Sequence, residues 1–300
     1  MALEIITLTT DFGQADGYVG TMKGVILARA PQARLVDLSH EIAPQDVLAG
    51  AFVLARAYRY FPLETIHVAV VDPGVGTSRR AVLLETAQGR FVGPDNGLFS
   101  LVLRETVALA TGWVGLPANV PALWHPGFDL AAALRDTPAE RLPRAYALTN
   151  ADYWLEGPGA TFHGRDVFAP VAAHLAAGEP PERLGMPVPL TSLVLLPNLT
   201  PTLYADTIEG RVIAVDRFGN LITNVAAGLL RALGPLERLE VRLGAHRLVG
   251  VQSAYGAVPA GEALALINSA GLLEIAVTNG SAAQTFQTGV GEAVYCRPHT

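Results

Sequence analysis

The sequence has little cysteine and no recognisable metal-binding pattern. Cys296 is the single cysteine among 300 residues, so no disulfide can form within the chain, and we expect an inert thiol. The seven histidines show no His-x-x-x-His spacing, which argues against a zinc site. A disulfide-stabilised scaffold is therefore excluded, and we expect neither a metal nor a bound cofactor.

Charge and long apolar runs are also scarce. Only 16% of the residues are charged, and the formal net charge is -6, whereas a nucleic-acid groove needs clustered Lys and Arg. No apolar run approaches the roughly 20 residues of a membrane helix, and the first residues lack the basic stretch of a signal peptide. We therefore expect a cytoplasmic protein that binds neither nucleic acid nor membrane.

Apolar residues and turn formers, by contrast, are abundant, and they indicate two domains. Half of the chain is hydrophobic, with 30 Gly and 21 Pro. In the first part β-branched runs alternate with helical spacing, and residues 66–71 form a continuous apolar run typical of a strand buried on both faces. Six prolines between residues 178 and 201 suggest a linker, and short strand-like runs follow it. We predict an α/β domain over residues 1–185, a linker over 186–202 and a small β-barrel over 203–300.

Three apolar runs end in an aspartate followed by a glycine-containing turn, at Asp11, Asp72 and Asp216. In open α/β sheets ligands bind beyond the carboxyl ends of the strands, where a carboxylate can accept both hydroxyls of a ribose or hold an ammonium group. Each aspartate alone is explained equally well as a turn former. Together the three favour a site for a polar small molecule.

Two further residues have side chains suited to handling water. Arg79 lies near the end of the glycine-containing segment 72–80, which lacks the Gly-Lys-Ser/Thr ending of a phosphate-binding loop. Its guanidinium stays protonated and can stabilise hydroxide, although a surface ion pair is the alternative. His163 stands at the entrance to a predicted helix, where it is either a catalytic group or a structural hydrogen bonder.

Residues 93–97 form a predicted turn, and the sequence leaves open whether Asn96 within it has a functional role. The residues alone thus indicate a small-molecule α/β enzyme and nothing finer.

Six short motifs, taken in order, resemble the S-adenosylmethionine hydroxide adenosyltransferase family, which is related to the bacterial fluorinase and chlorinase. They span nearly the whole chain and are Thr10-Asp11-Phe12-Gly13, Asp72-Pro73-Gly74-Val75-Gly76-Thr77, Gly93-Pro94-Asp95-Asn96-Gly97, Thr161-Phe162-His163-Gly164-Arg165-Asp166, Asp216-Arg217-Phe218-Gly219-Asn220 and Asn268-Ser269.

The resemblance implies a Rossmann-like N-terminal α/β domain, a C-terminal β-barrel and a homotrimer. In that family S-adenosylmethionine lies between the N-terminal domain of one subunit and the C-terminal domain of its neighbour, as substrate rather than cofactor. We accordingly expect hydrolysis to adenosine and methionine. The resemblance also implies site residues: Asp72, Arg79 and His163 for the attacking water, Asp11 for the ribose hydroxyls, Asp16, Asp216 and Ser269 for the methionine part, and Phe218, Asn220 and Tyr255 for adenine.

Departures from the halogenase pattern favour water as the nucleophile. Gly164 occupies the position of a halide-contacting serine, Gln45 that of a tryptophan and Asp72 that of a tyrosine. The fluorinase insertion between residues 80 and 93 is missing. Each change removes halide-binding character, and the Asp72 carboxylate would repel a halide.

Two alternatives stay open at the level of sequence. One is halide adenosyl transfer on the same scaffold. The other is a non-catalytic adenosine- or S-adenosylmethionine-binding protein, which would need Asp11 and Asn220 but not Asp72, Arg79 and His163.

Overall fold

The computed structural model describes residues 4–115, 121–156 and 160–299 and has mixed α/β architecture with two sheets. The chain divides into two compact units, the first from Met1–Thr111 and Leu130–Leu196, the second from Gly112–Asp129 and Pro197–Thr300. The expected α/β class is confirmed. The segment 112–129, which the sequence places in the first domain, groups with the second unit.

The first unit is built on a seven-stranded mixed sheet with the order β2-β1-β3-β5-β4-β6-β7. Strands β2, β1, β3 and β5 are parallel, and β4, β6 and β7 are joined to them by antiparallel pairs. Strand β7 lies inside the segment predicted as a linker. The strands are β1 (Ile5–Thr10), β2 (Arg34–Ser39), β3 (Ile66–Val70), β4 (Ala81–Thr86), β5 (Gly89–Pro94), β6 (Arg144–Ala147) and β7 (Met186–Val188).

Among the residues that the structure describes, six α-helices belong to this unit: α1 (Tyr18–Arg29), α2 (Val47–Ala57), α3 (Ser100–Thr111), α4 (Leu130–Asp136), α5 (Ala169–Ala176) and α6 (Pro181–Leu184). All five residues of β3 are buried, as its continuous apolar run predicts. Ile6 and Leu8 of β1 share one core cluster with Met22 of α1 and Val171 of α5. A π-helical turn, Gly164–Phe168, leads into α5, the helix that the sequence predicts after His163.

The register of the two central strands positions the site. Strands β1 and β3 run parallel, with Thr10 opposite Val70. Because both strands end at this point, the segments that begin with Asp11 and Val71 leave the sheet side by side.

The second unit holds a nine-stranded sheet with the order β12-β11-β16-β9-β10-β15-β14-β13, and β8 pairs with β9. Strand β12 lies close to β14, so the sheet nearly closes on itself. Cys296 is fully buried there, and burial raises its thiol pKa to about 12, as an inert thiol requires. The elements are β8 (Thr202–Leu203), β9 (Ile208–Val215), β10 (Leu221–Ala226), α7 (Ala227–Leu233), β11 (Leu239–Leu243), β12 (His246–Val249), β13 (Val251–Gln252), β14 (Ala263–Ile267), β15 (Leu272–Val277), α8 (Ala282–Phe286) and β16 (Ala293–Pro298).

Among the described residues, no helix combines the length and the apolar character that crossing a bilayer would require.

Candidate active site

A cavity of about 500 Å³ lies at the carboxyl edge of the first sheet. Its lining comes from the segments that follow β1 and β3, from residues 44–45 before α2 and from residues 161–164 before α5. Asp11, Asp72 and His163, all singled out in the sequence, are among the lining residues. The parallel register of β1 and β3 therefore brings distant motifs to one pocket.

Arg79 joins Asp72 and His163 into one network beside this cavity. Its Nε donates to Asp72 Oδ1 at 3.0 Å, and its Nη2 pairs with Asp72 Oδ2. The same Nη2 lies 2.9 Å from Nδ1 of His163. The side chains of Arg79 and Asp72 are only 7% and 5% exposed, so solvent screens this ion pair weakly.

Two further contacts orient the Arg79 guanidinium. Its Nη1 donates to the carbonyl oxygen of Arg80 at 3.0 Å, and its Cζ lies 5.5 Å from the centre of the Phe168 ring. A guanidinium held by a carboxylate, a carbonyl, an imidazole and a ring face has little rotational freedom. The charge of Arg79 is thus pre-oriented.

The contact with Arg79 determines the tautomer of His163. A guanidinium only donates hydrogen bonds, so Nδ1 of His163 accepts, and the neutral imidazole carries its proton on Nε2. Burial and the adjacent Arg79 charge lower the pKa of His163, although Asp72 and Asp166 oppose this effect. His163 is therefore neutral at neutral pH, with Nε2–H as its donor.

Asp11 is positioned by the segment that precedes α2. Its Oδ2 accepts the backbone N–H of Gln45 at 2.8 Å. Gln45 has a φ of 68°, a left-handed conformation uncommon for a residue other than glycine. In addition, the carbonyl of His40 accepts the N–H of Gly13 at 2.8 Å, which ties the two segments together.

Three aromatic rings form one wall of the cavity, a contact that the sequence does not predict. Phe12, Tyr18 and Phe162 meet edge to face, with centroid distances of 5.1 to 5.9 Å. A Cβ added at Gly164 would lie 3.0 Å from Phe162 and 3.1 Å from both Phe12 and Met22. A larger residue here would therefore push these side chains apart by a few tenths of an ångström. The sequence signal that could have identified this wall is the presence of Phe12 and Phe162 inside the motifs at 10–13 and 161–166, with Tyr18 shortly after the first motif.

Asp16, predicted to contact the methionine part, is exposed in the segment before α1 and is not among the residues that line the cavity.

The other predicted ligand contacts lie in the second unit. The carboxylate of Asp216 accepts three hydrogen bonds within its own turn, from the N–H groups of Phe218 and Asn220 and from Asn220 Nδ2, each at 2.9 Å. Phe218 is 77% exposed, whereas Asn220 is buried. Asp216 thus has the turn-forming role that the sequence left as an alternative, while Phe218 offers an open ring face.

Tyr255 and Ser269 also belong to the second unit. The Tyr255 hydroxyl donates to Oε1 of the buried Glu274 at 2.6 Å. Desolvation and this carboxylate raise the pKa of Tyr255 to about 12. Ser269 is exposed. Among the described residues, no group of three His, Cys, Asp or Glu side chains is arranged to hold a metal ion.

Comparison with known proteins gives consistent matches over most of the chain. Residues 6–121 and 128–185 match the model of the SAM hydroxide adenosyltransferase N-terminal domain, and residues 210–295 match that of the C-terminal domain. The (R)-S-adenosyl-L-methionine hydrolase of Thermus thermophilus is 44% identical over 275 residues, 91% of each chain.

A solved structure and a more distant relative complete the comparison. The crystal structure of an uncharacterized conserved protein from Thermotoga maritima is 33% identical, with a TM-score of 0.79 over 97% of this chain and 99% of that one. The fluorinase of Nocardia brasiliensis is 26% identical in an alignment that covers 97% of this chain and 95% of the relative. Since the family models cover both parts of the chain and the hydrolase is far more similar than the fluorinase, this protein belongs to the SAM hydroxide adenosyltransferase family.

Proposed function

We propose that this protein hydrolyses S-adenosyl-L-methionine to adenosine and L-methionine, by attack of water on the ribose 5′ carbon. The observation that carries the proposal is the partly buried network of Asp72, Arg79 and His163 beside a cavity at the carboxyl edge of the sheet. The family membership and the hydrolase relative agree with it.

The reaction is an in-line displacement. The water oxygen forms a bond to the 5′ carbon while the carbon–sulfur bond breaks, and the bonding pair stays on sulfur, which leaves as neutral methionine. The positive sulfonium supplies the leaving-group activation, so the protein has to place a water opposite the carbon–sulfur bond and stabilise its hydroxide character. The fixed charge of Arg79 suits this stabilisation.

The tautomer of His163 favours Asp72 as the proton acceptor. Nδ1 of His163 accepts from Arg79 and Nε2 already bears a proton, so the neutral ring has no free lone pair for the water. His163 would instead donate its Nε2–H to the water oxygen and orient it. Asp72 keeps unused lone pairs on both oxygens and would take the proton before releasing it to solvent.

The substrate would be held by both polar and aromatic groups. Asp11 uses Oδ2 for the Gln45 N–H, and its other oxygen suits a ribose hydroxyl. The electron-rich faces of Phe12, Tyr18 and Phe162 suit a sulfonium cation.

We further propose that the first unit is a Rossmann-like domain, that the second is a β-barrel, and that the protein is a cytoplasmic homotrimer. In the trimer a neighbouring subunit would complete each site. The residues proposed for that half of the site, all in the second unit, are Asp216 and Ser269 for the methionine part and Phe218, Asn220 and Tyr255 for adenine. Asp16 lies in the first unit and is proposed to contact the methionine part from there. The open ring face of Phe218 supports this assignment.

The test is incubation of the purified protein with S-adenosylmethionine in ¹⁸O-labelled water, in halide-free and in chloride buffer, with products identified by mass spectrometry. Adenosine labelled at the 5′ oxygen in both buffers, together with methionine, supports hydrolysis. A 5′-halo-adenosine would indicate a halide transferase, and intact bound ligand would indicate a binding protein.

A further inference from the structure

The segment that carries Asp72 and Arg79 begins and ends at residues contacted by one dipeptide, Asp95-Asn96, in the turn after β5. At the beginning, Nδ2 of Asn96 donates to the carbonyl oxygen of Val71 at 2.8 Å. Oδ1 of Asn96 accepts the N–H of Leu98 at 3.3 Å, which keeps the amide in one orientation. The amide therefore holds the backbone directly before Asp72.

At the other end of the segment, Asp95 holds Arg80 through both backbone and side chain. The N–H of Asp95 donates to the carbonyl of Arg80 at 3.0 Å, and its Oδ2 accepts from Arg80 Nε at 2.9 Å. The Asp95 side chain is 3% exposed, and its Oδ1 accepts the N–H of Val194 at 2.8 Å. The carbonyl of Arg80 also accepts from Nη1 of Arg79. Asp95 thus fixes an acceptor that itself orients the Arg79 guanidinium.

Between these two ends the backbone makes short-range turns. Val75 N–H donates to the carbonyl of Asp72 at 3.2 Å, and Thr77 N–H donates to that of Gly74 at 3.1 Å. Gly76 has a φ of 79°, which glycine adopts without strain. Such turns fix local shape but do not fix the distance between residues 71 and 80. The strands and the dipeptide Asp95-Asn96 must set that distance.

We propose that Asn96, together with Asp95, positions Asp72 and Arg79 for the reaction without contacting the substrate. The proposal rests on the function proposed above, since it assigns these residues to the same site. The turn 93–97, whose role the sequence left open, thereby acquires a role: it sets the separation and orientation of the carboxylate and the guanidinium. A displacement of about 1 Å in such a pair can lower a rate about 10²-fold.

The central test is Asn96→Ser. Serine can still accept the N–H of Leu98, but its hydroxyl is too short to reach the carbonyl of Val71. We expect kcat to fall by about 10-fold to 100-fold, with KM within about threefold of wild type, because Asp11 and the aromatic residues proposed to hold the substrate are unchanged. Asn96→Asp keeps the shape of the side chain but loses the amide donor, so we expect the same changes in kcat and KM as for Asn96→Ser. This variant replaces Asn96→Ser in the test if the serine variant folds poorly.

Asn150→Ser is the matched control. Asn150 makes the same pair of contacts, with Nδ2 donating to the carbonyl of Arg183 at 2.8 Å and Oδ1 accepting the N–H of Asp152 at 3.2 Å. It does not line the cavity. If Asn96 is merely structural, Asn96→Ser and Asn150→Ser will both lower the melting temperature, and both will keep the wild-type kcat at assay temperatures well below their melting points. That result would overturn the proposal.

A second readout does not require catalysis. The imidazole ¹⁵N shifts of His163, assigned with a His163→Gln variant, should show a single tautomer protonated at Nε2 in the wild type. In Asn96→Ser we expect these shifts to move toward the average of two tautomers, because Arg79 no longer holds Nδ1. Unchanged shifts would overturn the positioning role. A wild-type protein that does not hydrolyse S-adenosylmethionine would refute the proposed function alone, since the shifts still test the positioning.

Discussion

The buried histidine of β3 should make the stability of the protein depend on pH. His67 is fully buried, stacks on Phe91 at a ring distance of 4.9 Å and shares a 2.8 Å hydrogen bond with Thr7 Oγ1. Burial lowers the pKa of His67 from 6.5 to about 4. The fold therefore favours the neutral ring.

The sign and size of the effect follow from linkage. Above pH 6.5 the ring is neutral in both folded and unfolded chains, and the stability is complete. As the pH falls from 6.5 toward 4, the unfolded chain binds a proton that the folded chain excludes, so the free energy of unfolding decreases. A pKa difference from 6.5 to about 4 corresponds to about 3 kcal/mol in full, and to about 2 kcal/mol between pH 7 and pH 5.

The assay compares wild type with His67→Gln, which does not titrate and can still bond to Thr7. Urea unfolding at pH 7 and pH 5 gives the pH dependence of each protein, and hydrogen exchange of the β3 amides reports on the sheet that holds His67. We expect the wild type to lose about 2 kcal/mol more than the variant between these pH values. Equal losses in the two proteins would refute the assignment of a neutral buried ring.

Further predictions concern the reaction itself. Asp72→Asn should lower kcat about 10²- to 10⁴-fold while binding of adenosine persists. If adenosine formation by this variant, measured at fixed times, equals that of wild type, Asp72 is not the base. Arg79→Lys should also lose most of the activity, because one ammonium cannot hold the Asp72 carboxylate and His163 together; full activity would show that only the charge matters. Activity should fall as the pH drops through the lowered pKa of His163, since a protonated Nδ1 cannot accept from Arg79; a His163→Gln profile with the same acidic limb would point to another group. Gly164→Ser should raise KM by displacing the aromatic wall and give no 5′-halo-adenosine in chloride, and formation of that product would revive the halide alternative.

Much of the local structure could be predicted from the sequence, because it depends on neighbouring residues. The apolar run at 66–71 predicted a buried strand, and β3 is buried at every position. The aspartates that follow β1 and β3 could be assigned to one edge of a parallel sheet, and Asp11 and Asp72 do line one cavity. Proline content does not reveal that residues 186–188, at the start of the predicted linker, pair with β6, because that pairing depends on a distant strand.

The sequence by itself determined the alternation of strands and helices, the family and the residues at the ends of the strands, since these depend on hydrophobic periodicity and on short motifs. Only the tertiary structure decided which groups meet. The contact of Arg79 with His163 joins residues 84 positions apart, and it determines which nitrogen of the imidazole carries the proton. The hold of Asn96 on Val71 and the aromatic wall around Gly164 likewise depend on strand order and register, which bring together side chains that no local pattern relates.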